Sequence, residues 1–295
     1  GEDKCTIYSQ DISQKSSSLL RLNLILNNLV HSIQNIIQGN TISHPYHKDE
    51  NGALEKFDFI VSNPPFKLDF SDYRNDLDCK ENKDRFFAGI PNIPKQAKDK
   101  MAIYSLFLQH IIFSLSKKGK AAVVVPTGFI TAQSGIDKKI REKLVESKML
   151  AGVVSMPSNI FATTGTNVSI VFMDKNNKGN VVLIDASNLG ETVKDGKNQK
   201  TVLTADEEQQ IIDTFNQKKA LEDFSVVVSY DEIKQKNYSL SAGQYFEVKI
   251  EYVDITADEF EAKMKGFEEN LNNLFEEGRA LETEIQNNLK GLRYE

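Results

Sequence analysis

Cysteine is scarce in this sequence, and long apolar runs are missing. Only two cysteines, Cys5 and Cys79, occur in the 295 residues, and they stand in unrelated contexts. A disulfide framework is therefore not expected, and a reducing cytoplasm fits this composition. The longest apolar runs, such as residues 121–125, fall far short of the roughly 20 residues that a membrane-spanning helix needs. We expect a cytoplasmic protein with no membrane span and no signal peptide.

Metal-binding patterns and an excess of positive charge are also missing. His44 and His47 lie close together, but no paired cysteines and no His-Glu-x-x-His pattern accompany them. No metal site is therefore expected. The 42 acidic residues outnumber the 36 lysines and arginines, which gives a net charge of −6. Such a chain does not coat nucleic acid through bulk charge, although a local basic surface or a partner subunit would still allow DNA contact.

The most informative stretch is FDFIVSNPPFKLDF, residues 57–70. Residues 57–61 are mostly apolar or β-branched, which predicts a central parallel strand covered on both faces. The two prolines that follow must end this strand, because neither can donate to a ladder. The segment Asn63-Pro64-Pro65-Phe66 is thus predicted to lie just past the carboxyl end of a strand. In open α/β sheets, that is where ligands bind.

The chemistry of Asn63-Pro64-Pro65-Phe66 suits an exocyclic amino group such as N6 of adenine. The lone pair of that nitrogen is delocalised into the ring, and two rigid acceptors for its N–H groups would draw it toward tetrahedral geometry. The side-chain oxygen of Asn63 and the carbonyl of Pro64 are such a pair, and the prolines fix the backbone between them. Phe66 can stack on a base taken out of its duplex. The alternative is a turn that merely terminates a strand.

Strand-like and helix-like segments alternate from residue 6 to about residue 155. We predict a strand at 6–8, a helix from the N-cap Ser13 to about Leu29, and a strand ending in the turn at Gly39-Asn40. Later segments predict a helix over 100–115 that ends in the basic turn 117–120, and a long mobile loop over 67–100. Further elements are predicted as the strands 121–125, 151–155, 168–173 and 181–185 and the helices 137–146 and 204–215. This alternation predicts an α/β fold with a doubly wound, mostly parallel sheet.

The texture of the sequence changes twice along the chain. We predict a catalytic α/β domain over 1–185, a smaller α+β extension over 186–250 and a C-terminal helix over 251–295. Two interleaved seven-residue series predict a coiled-coil seam: Phe260, Phe267, Leu274 and Leu281 in one, and Met264, Leu271, Ile285 and Leu292 in the other, with Gly278 as the gap. Such a stripe needs a partner helix, unless it packs back on its own domain.

Several segments together resemble a known family. FDFIVSNPPF resembles motif IV of amino-group DNA methyltransferases, and the wider sequence is similar to the modification subunit of type I restriction-modification systems. The other segments that carry this resemblance are IYSQDIS (7–13), IIQGNTI (36–42), FLQHIIFSLSKKGKAAVVVP (107–126), SMPSNIFATTGTNVSIVFMDK (155–175) and YSLSAGQYF (238–246). The resemblance covers most of the chain up to about residue 250.

This resemblance implies an enzyme that transfers a methyl group from S-adenosylmethionine to N6 of adenine in DNA. It implies DNA, a specificity subunit, a second modification subunit and a restriction subunit as partners. In that family the specificity subunit reads the DNA sequence. The implied target-adenine residues are Asn63, Pro64, Pro65 and Phe66, and the implied cofactor-binding residues are Asp11, Ile12 and Asn40. Asp11 would accept from the ribose hydroxyls; the alternative is that it only begins the cap of the following helix.

The sequence departs from this family in one respect. The glycine-rich turn that approaches the methionine part of the cofactor is absent, because only Gly1–Cys5 precede the predicted strand at 6–8. The resemblance therefore implies a chain that begins partway through the catalytic domain, that binds S-adenosylmethionine weakly or not at all when alone, and that is inactive alone. Two alternatives stay open: an interaction module that docks on a specificity subunit, and a methyltransferase for glutamine amides or RNA bases.

Overall fold

The computed structural model describes residues 5–161, 166–196, 198–246 and 256–291. The chain divides into two units, residues 1–246 and residues 247–295. The first unit contains all the strands and seven of the eight α-helices below, and the second contains the last helix. The finer division of the first unit at residue 185 stays a prediction.

Strands and helices are interspersed up to β5, and the strands β5 to β9 then follow one another without a described helix between them. The strands are β1 (Ser9–Asp11), β2 (Ile36–Gln38), β3 (Phe57–Ser62), β4 (Leu115–Pro126), β5 (Leu150–Ser155), β6 (Val168–Asp174), β7 (Val181–Asp185), β8 (Glu191–Asp195), β9 (Asn198–Val202) and β10 (Ser225–Val228). The helices are α1 (Gln14–Leu26), α2 (Ser71–Leu77), α3 (Tyr104–Ser114), α4 (Gly128–Thr131), α5 (Gly135–Glu146), α6 (Ala205–Gln217), α7 (Tyr230–Gln235) and α8 (Ala257–Gly291).

The main sheet has six strands in the order β10-β7-β5-β6-β4-β3. Strands β3 and β4 pair in parallel, as do β5 and β7, while β6 lies antiparallel between β4 and β5. It follows that β3, β4, β5 and β7 all run in one direction, and their carboxyl ends share one edge of the sheet. The predicted α/β class and the long C-terminal helix are confirmed. The alternating strands and helices identified this class because a parallel pair requires a crossover connection.

Strands β1 and β2 form a separate parallel pair, in which Asp11 lies opposite Gln38. The strand predicted at 6–8 is therefore displaced, because the observed strand is Ser9–Asp11. Residues 6–8 have the better β-propensity, but pairing with Ile36–Gln38 decides where the strand forms. As a result, Asp11 ends the strand itself instead of following it.

Strand β3 contradicts the prediction of a strand covered on both faces. It lies at the edge of the main sheet, and the side chains of Phe59 and Val61 are 76% and 86% exposed. Ile60, which points to the other face, packs against the main core. A continuous apolar run specifies an extended backbone, but it does not specify that neighbours cover both of its faces.

The segment 67–100 is not the irregular loop predicted from its charges. It contains α2 and two 3-10 turns, and the amide of Leu68 donates to the carbonyl of Met101 at 3.1 Å. A small core forms around widely spaced apolar residues, whose buried members are Ile42, Phe70, Leu77, Phe86, Met101, Ile103 and Leu106. Their irregular spacing concealed this core, because it matches neither the helical nor the strand period.

The predicted helix over 100–115 forms as α3, but its basic C-terminal turn does not. Residues 117–120 belong to β4, which starts directly after α3. Gly119 sits so close to the carbonyl of Phe57 that an added Cβ would lie 2.9 Å from it. Lys120 pairs with Asp174 of β6 at 3.1 Å. Pairing with β3 and β6 thus extends the strand backward into the lysines.

Helices α1 and α8 form as predicted, but their apolar stripes are exposed. The hydroxyl of Ser13 accepts from the amide of Ser16 and caps α1, which ends at Leu26, so Leu29 lies beyond it. Leu19, Leu22 and Leu26 are 52–77% exposed. The described seam residues of α8 are each more than half exposed, and Leu292 lies outside the described residues. No described helix combines the length and the apolar character that crossing a bilayer requires.

Candidate active site

The turn Asn63–Phe66 lies directly after the carboxyl end of β3, as predicted. Ser62, the last residue of β3, pairs with Val123 of β4. Asn63 is exposed, Pro64 is buried and Phe66 is half-buried. Within the described ranges, neither the Asn63 side chain nor the Pro64 carbonyl takes part in a hydrogen bond. The turn therefore offers two free acceptors in consecutive residues.

Phe66 is backed by a ring system in the main core. Its ring meets that of Tyr104 edge-on at 6.3 Å, and Tyr104 in turn meets Phe129 edge-on at 6.4 Å. Tyr104 is only 6% exposed, and its hydroxyl donates to Asp137 Oδ2 at 2.6 Å. Edge-on contacts of this kind favour one ring orientation. The ring of Phe66 is thus held in place from behind.

The polar groups behind Phe66 are held by burial and mutual bonding. Burial raises the pKa of Tyr104, and the carboxylate of Asp137 raises it further. Burial also raises the pKa of Asp137, against the hydrogen bond from Tyr104 and the charge of Arg141. Arg141 is fully buried, and it donates to the carbonyls of Tyr238 (2.8 Å), Phe129 and Ala132. Tyr104 therefore stays protonated and donates to Asp137.

On the predicted cofactor side, Asp11 lies at the end of β1. Its Oδ1 accepts from the amide of Ser13 at 2.7 Å, and its carbonyl accepts from the amide of Gly39 at 2.9 Å. Oδ2 has no partner among the residues that the structure describes. Ile12 beside it is 70% exposed. Asp11 thus contributes to the start of α1, the alternative considered for it, and still presents one free carboxylate oxygen.

Asn40 lies in the turn that follows β2. Its Oδ1 accepts from the amides of Ile42 (2.9 Å) and Ser43 (3.1 Å). Two N–H donors on one side settle the orientation of the amide, because only its oxygen can accept from them. The NH₂ group is therefore the part of Asn40 that is left for a ligand. An aspartate here would offer only acceptors.

The structure brings Asp11 and Asn40 to one edge of the β1–β2 pair, because Asp11 is the last residue of β1 and Asn40 follows the carboxyl end of the parallel strand β2. The Tyr8 ring, just before β1, lies 5.3 Å from the ring of Phe57 at the start of β3. The beginnings of β1 and β3 are therefore neighbours. Asn63 follows the other end of β3.

Sequence reasoning did not identify the residues that support these turns. The Gln10 amide donates to the carbonyl of His44 at 2.8 Å and accepts from the amide of Tyr46 at 2.9 Å. Arg85 and the Tyr104–Asp137 pair were also not identified. For Arg85, one available signal was its position directly before Phe-Phe-Ala inside a charged segment. In the described part of the chain, no cluster of three His, Cys, Asp or Glu side chains suits a metal ion.

Comparison with curated proteins finds type I methylase subunits. The chain is 29% identical to the type I restriction enzyme MpnII methylase subunit of Mycoplasma pneumoniae, over 99% of this chain and 52% of that protein. It is also 29% identical to the MjaIX methylase subunit of Methanocaldococcus jannaschii, over 99% of this chain and 51% of the relative. The chain spans about half the length of the curated relatives it matches.

Comparison with solved structures shows the same fold in a type I methyltransferase subunit from Streptococcus thermophilus. That structure matches with a TM-score of 0.66 at 23% identity, over 82% of this chain and 48% of the other. Among protein families, the N-6 DNA Methylase family matches residues 1–253. Since this match covers most of the sequence and includes both turns described above, the chain belongs to the N-6 DNA Methylase family.

Proposed function

We propose that this chain carries the catalytic region of a modification subunit of a type I restriction-modification system. Its reaction is transfer of a methyl group from S-adenosylmethionine to N6 of adenine in DNA. The observation that carries this proposal is the pair of unbonded acceptors, Asn63 Oδ1 and the Pro64 carbonyl, held directly after a parallel strand. Membership of the N-6 DNA Methylase family supports the same reaction.

The two acceptors act on the amino group of the target adenine. Asn63 Oδ1 and the Pro64 carbonyl accept one N–H each, which localises the nitrogen lone pair and makes it a nucleophile. Pro65 fixes the backbone on the far side of Pro64, so the acceptors are positioned before the base arrives. Phe66 stacks on the extruded base, and the Tyr104 edge contact keeps its ring oriented.

The donor set near Asp11 fits S-adenosylmethionine. The free Oδ2 of Asp11 can accept from ribose hydroxyls, the exposed side chain of Ile12 provides an apolar surface for the adenine ring, and the Asn40 NH₂ can donate to a ring nitrogen. When bound, the cofactor supplies an electrophilic methyl group. In this assignment Asn40 acts as a donor because its oxygen is occupied by the amides of Ile42 and Ser43.

We further propose that α8 takes a helical partner in the assembled system, which comprises DNA, a specificity subunit, a second modification subunit and a restriction subunit. Residues 257–291 carry nine carboxylates and four basic side chains. A second copy of this helix would be repelled by that charge, so the complementary partner is a helix with basic flanks, as a specificity subunit can supply. On unit 1, the exposed lysines Lys95, Lys98 and Lys100 suit phosphate contacts.

Replacement of Asn63 tests the proposed reaction. In the whole protein that carries these residues, with its partner subunits, Asn63→Ala should lower the rate of adenine methylation by about 100-fold or more, because one acceptor in the transition state is lost. Asn63→Asp keeps an acceptor and should retain part of the activity. The affinity for S-adenosylmethionine should stay within about twofold, because Asn63 is assigned to the target adenine and not to the cofactor.

The matched control is Asn51→Ala, which removes an exposed asparagine in the separate turn after Asp49, 12 positions before Asn63. Its methylation rate should equal that of the wild type, measured by transfer of a labelled methyl group to a DNA duplex. An Asn63→Ala protein that methylates adenine at the normal rate would refute the proposed function.

A further inference from the structure

Arg85 is a buried arginine that has no carboxylate partner in the described part of the chain. It lies in the segment 67–100 and is only 4% exposed. Nη1 donates to the carbonyl of Ile42 at 2.8 Å, and Nη2 donates to the carbonyl of Thr41 at 2.9 Å. Nε donates to Nδ1 of His110 on α3 at 2.9 Å. No ion pair to Arg85 exists among residues 5–161, 166–196, 198–246 and 256–291, so its acceptors are all neutral.

The charge states of Arg85 and His110 suit the hydrogen bond between them. Burial lowers the pKa of Arg85 to about 10, so the guanidinium remains charged at neutral pH. Burial, together with the charges of Arg85 and Lys56, lowers the pKa of His110 to about 3. His110 is therefore neutral and accepts at Nδ1, which places its proton on Nε2. The charged guanidinium therefore donates to a neutral imidazole, because His110 does not take up a proton at neutral pH.

Thr41 and Ile42 form the turn that follows Asn40. The amide of Ile42 donates to Asn40 Oδ1, while its carbonyl accepts from Arg85. The Thr41 hydroxyl donates to the carbonyl of Gln10 at 2.9 Å, next to Asp11. Arg85 thus donates to the carbonyls of the peptide groups 41–42 and 42–43, whose N–H groups donate to the Asn40 side chain. It approaches them from the opposite side of the turn.

We propose that Arg85 is a positioning residue of the cofactor site. Its forked bonds hold the 40–43 turn in the shape that presents the Asn40 NH₂, and its bond to His110 anchors that turn to α3. The inference rests on the proposed function, because it takes Asn40 to contact S-adenosylmethionine. Arg85 reaches the 40–43 turn from the segment that follows the target-base turn Asn63–Phe66 in the chain.

Arg74 provides a matched control within the same segment. It too forks onto two consecutive carbonyls, donating from Nε to Pro91 at 3.2 Å and from Nη2 to Ile90 at 3.3 Å. Those carbonyls belong to the segment 67–100 itself and not to the 40–43 turn. Unlike Arg85, Arg74 also pairs with a carboxylate, Asp78, at 2.8 Å. A variant at Arg74 therefore removes a forked guanidinium from the same segment and leaves the bonds of the Asn40 turn in place.

The experiment measures S-adenosylmethionine affinity by calorimetry in the whole protein that carries these residues. Arg85→Met should raise the Kd about tenfold or more, since buried carbonyls lose a charged donor and the turn relaxes. The methylation rate at saturating cofactor should stay within about twofold. Arg85→Lys keeps the charge but not the fork, and should fall between. Arg74→Met should leave the Kd within about twofold.

An NMR titration of His110 checks the contact without reference to the reaction. In Arg85→Met the pKa of His110 should rise from about 3, because the neighbouring charge is gone, while Arg74→Met should leave it in place. If Arg85→Met does not fold, Arg85→Lys bears the test of affinity. A general loss of stability would affect the Arg74 and Arg85 variants alike.

The possible outcomes separate this inference from the proposed function. A wild-type protein that binds no S-adenosylmethionine would overturn both. A wild type that binds it, with an unchanged Kd in Arg85→Met and a shifted His110 pKa, would overturn the role of Arg85 alone. Equal weakening in the Arg74 and Arg85 variants would also overturn it, because the effect would then be a property of the whole segment.

Discussion

Two helices of this protein carry apolar stripes, and only one of them is covered. In α3 the side chains of Leu108 and Ile112, one turn apart on the same face, are 0% and 5% exposed. In α8 the side chains of Phe267 and Leu271 are 61% and 51% exposed. Both stripes follow a helical period, and both helices form. Periodicity therefore determines which face of a helix is apolar. The rest of the fold, or a partner, determines whether that face is covered.

The start of α8 is encoded locally, in contrast to its packing. The amide of Thr256 donates to Glu259 Oε2 at 2.9 Å, and the amide of Glu259 donates to Thr256 Oγ1 at 3.3 Å. This reciprocal pair is a capping box, which needs only four consecutive residues. A 35-residue helix with such a start satisfies its own backbone. Its apolar stripe still requires another surface.

The largest expected effect separates the two stripes by stability. Leu108→Ala should lower the free energy of unfolding by about 2–5 kcal/mol, since it leaves a cavity in a fully packed core. Leu271→Ala in the isolated protein should change it by no more than about 0.5 kcal/mol, because the side chain is half exposed and alanine is a good helix former. Urea unfolding followed by circular dichroism measures both.

A Leu271→Ala effect as large as that of Leu108→Ala would contradict the difference in burial between the two helices. It would mean that α8 packs on its own chain, the alternative considered for its stripe. Leu221→Ala is a useful reference, because Leu221 is a half-exposed leucine outside α8. Its effect should resemble that of Leu271→Ala.

A smaller effect should appear in association with the proposed partner helix. Leu271→Glu places a charge in the seam of α8 and should weaken binding to the specificity subunit by about tenfold or more, because a buried unpaired charge opposes assembly. Asn272→Glu adds the same charge at the neighbouring position, outside the seam, and is the matched control. Analytical ultracentrifugation of the mixed subunits gives both affinities. Equal weakening by the two variants would indicate bulk charge repulsion instead of a seam.

Much of the fold follows from local sequence signals. The cap at Ser13, the prolines after β3 and the start of α6 at Thr204 each depend on residues close together in the chain, and each lies where it is predicted. The exposure of Val61 and the packing of Phe86 do not follow from such signals. Edge or centre position in a sheet depends on strand order, and the small core around Phe86 depends on contacts between distant segments.

The same distinction applies to the candidate site. Asn63 and Pro64 were identifiable because their chemistry is contiguous and follows a strand. Arg85 was not, because its three acceptors come from residues 25 and more positions away. Tyr104 falls within the predicted helix over 100–115, but its contact with Phe66 exists only in the folded chain. Residues that touch a ligand can be local in sequence, whereas those that support them are brought together by the fold.

The smallest expected effect concerns the capping box that begins α6. Glu207 accepts from the amides of Thr204 and Gly190, both at 2.8 Å, and these bonds hold its pKa below the usual value of 4.5. A depressed pKa in the folded state means that this stabilisation is present above pH 4.5 and is lost as the pH falls through the folded value. Glu207→Gln keeps an acceptor oxygen but cannot titrate.

The two proteins should therefore differ slightly in Tm at neutral pH and converge as the pH falls below 4.5. Glu208→Gln, in the same first turn but without these bonds, should track the wild type at every pH. Thermal unfolding between neutral pH and pH 3 measures all three. A difference that grew toward low pH would show that the Glu207 carboxylate is not stabilised by these amides. The capping carboxylate of α6 also accepts from Gly190, outside the helix, whereas the capping box of α8 joins only residues at the start of that helix. Such a result would mean that this additional bond does not stabilise α6.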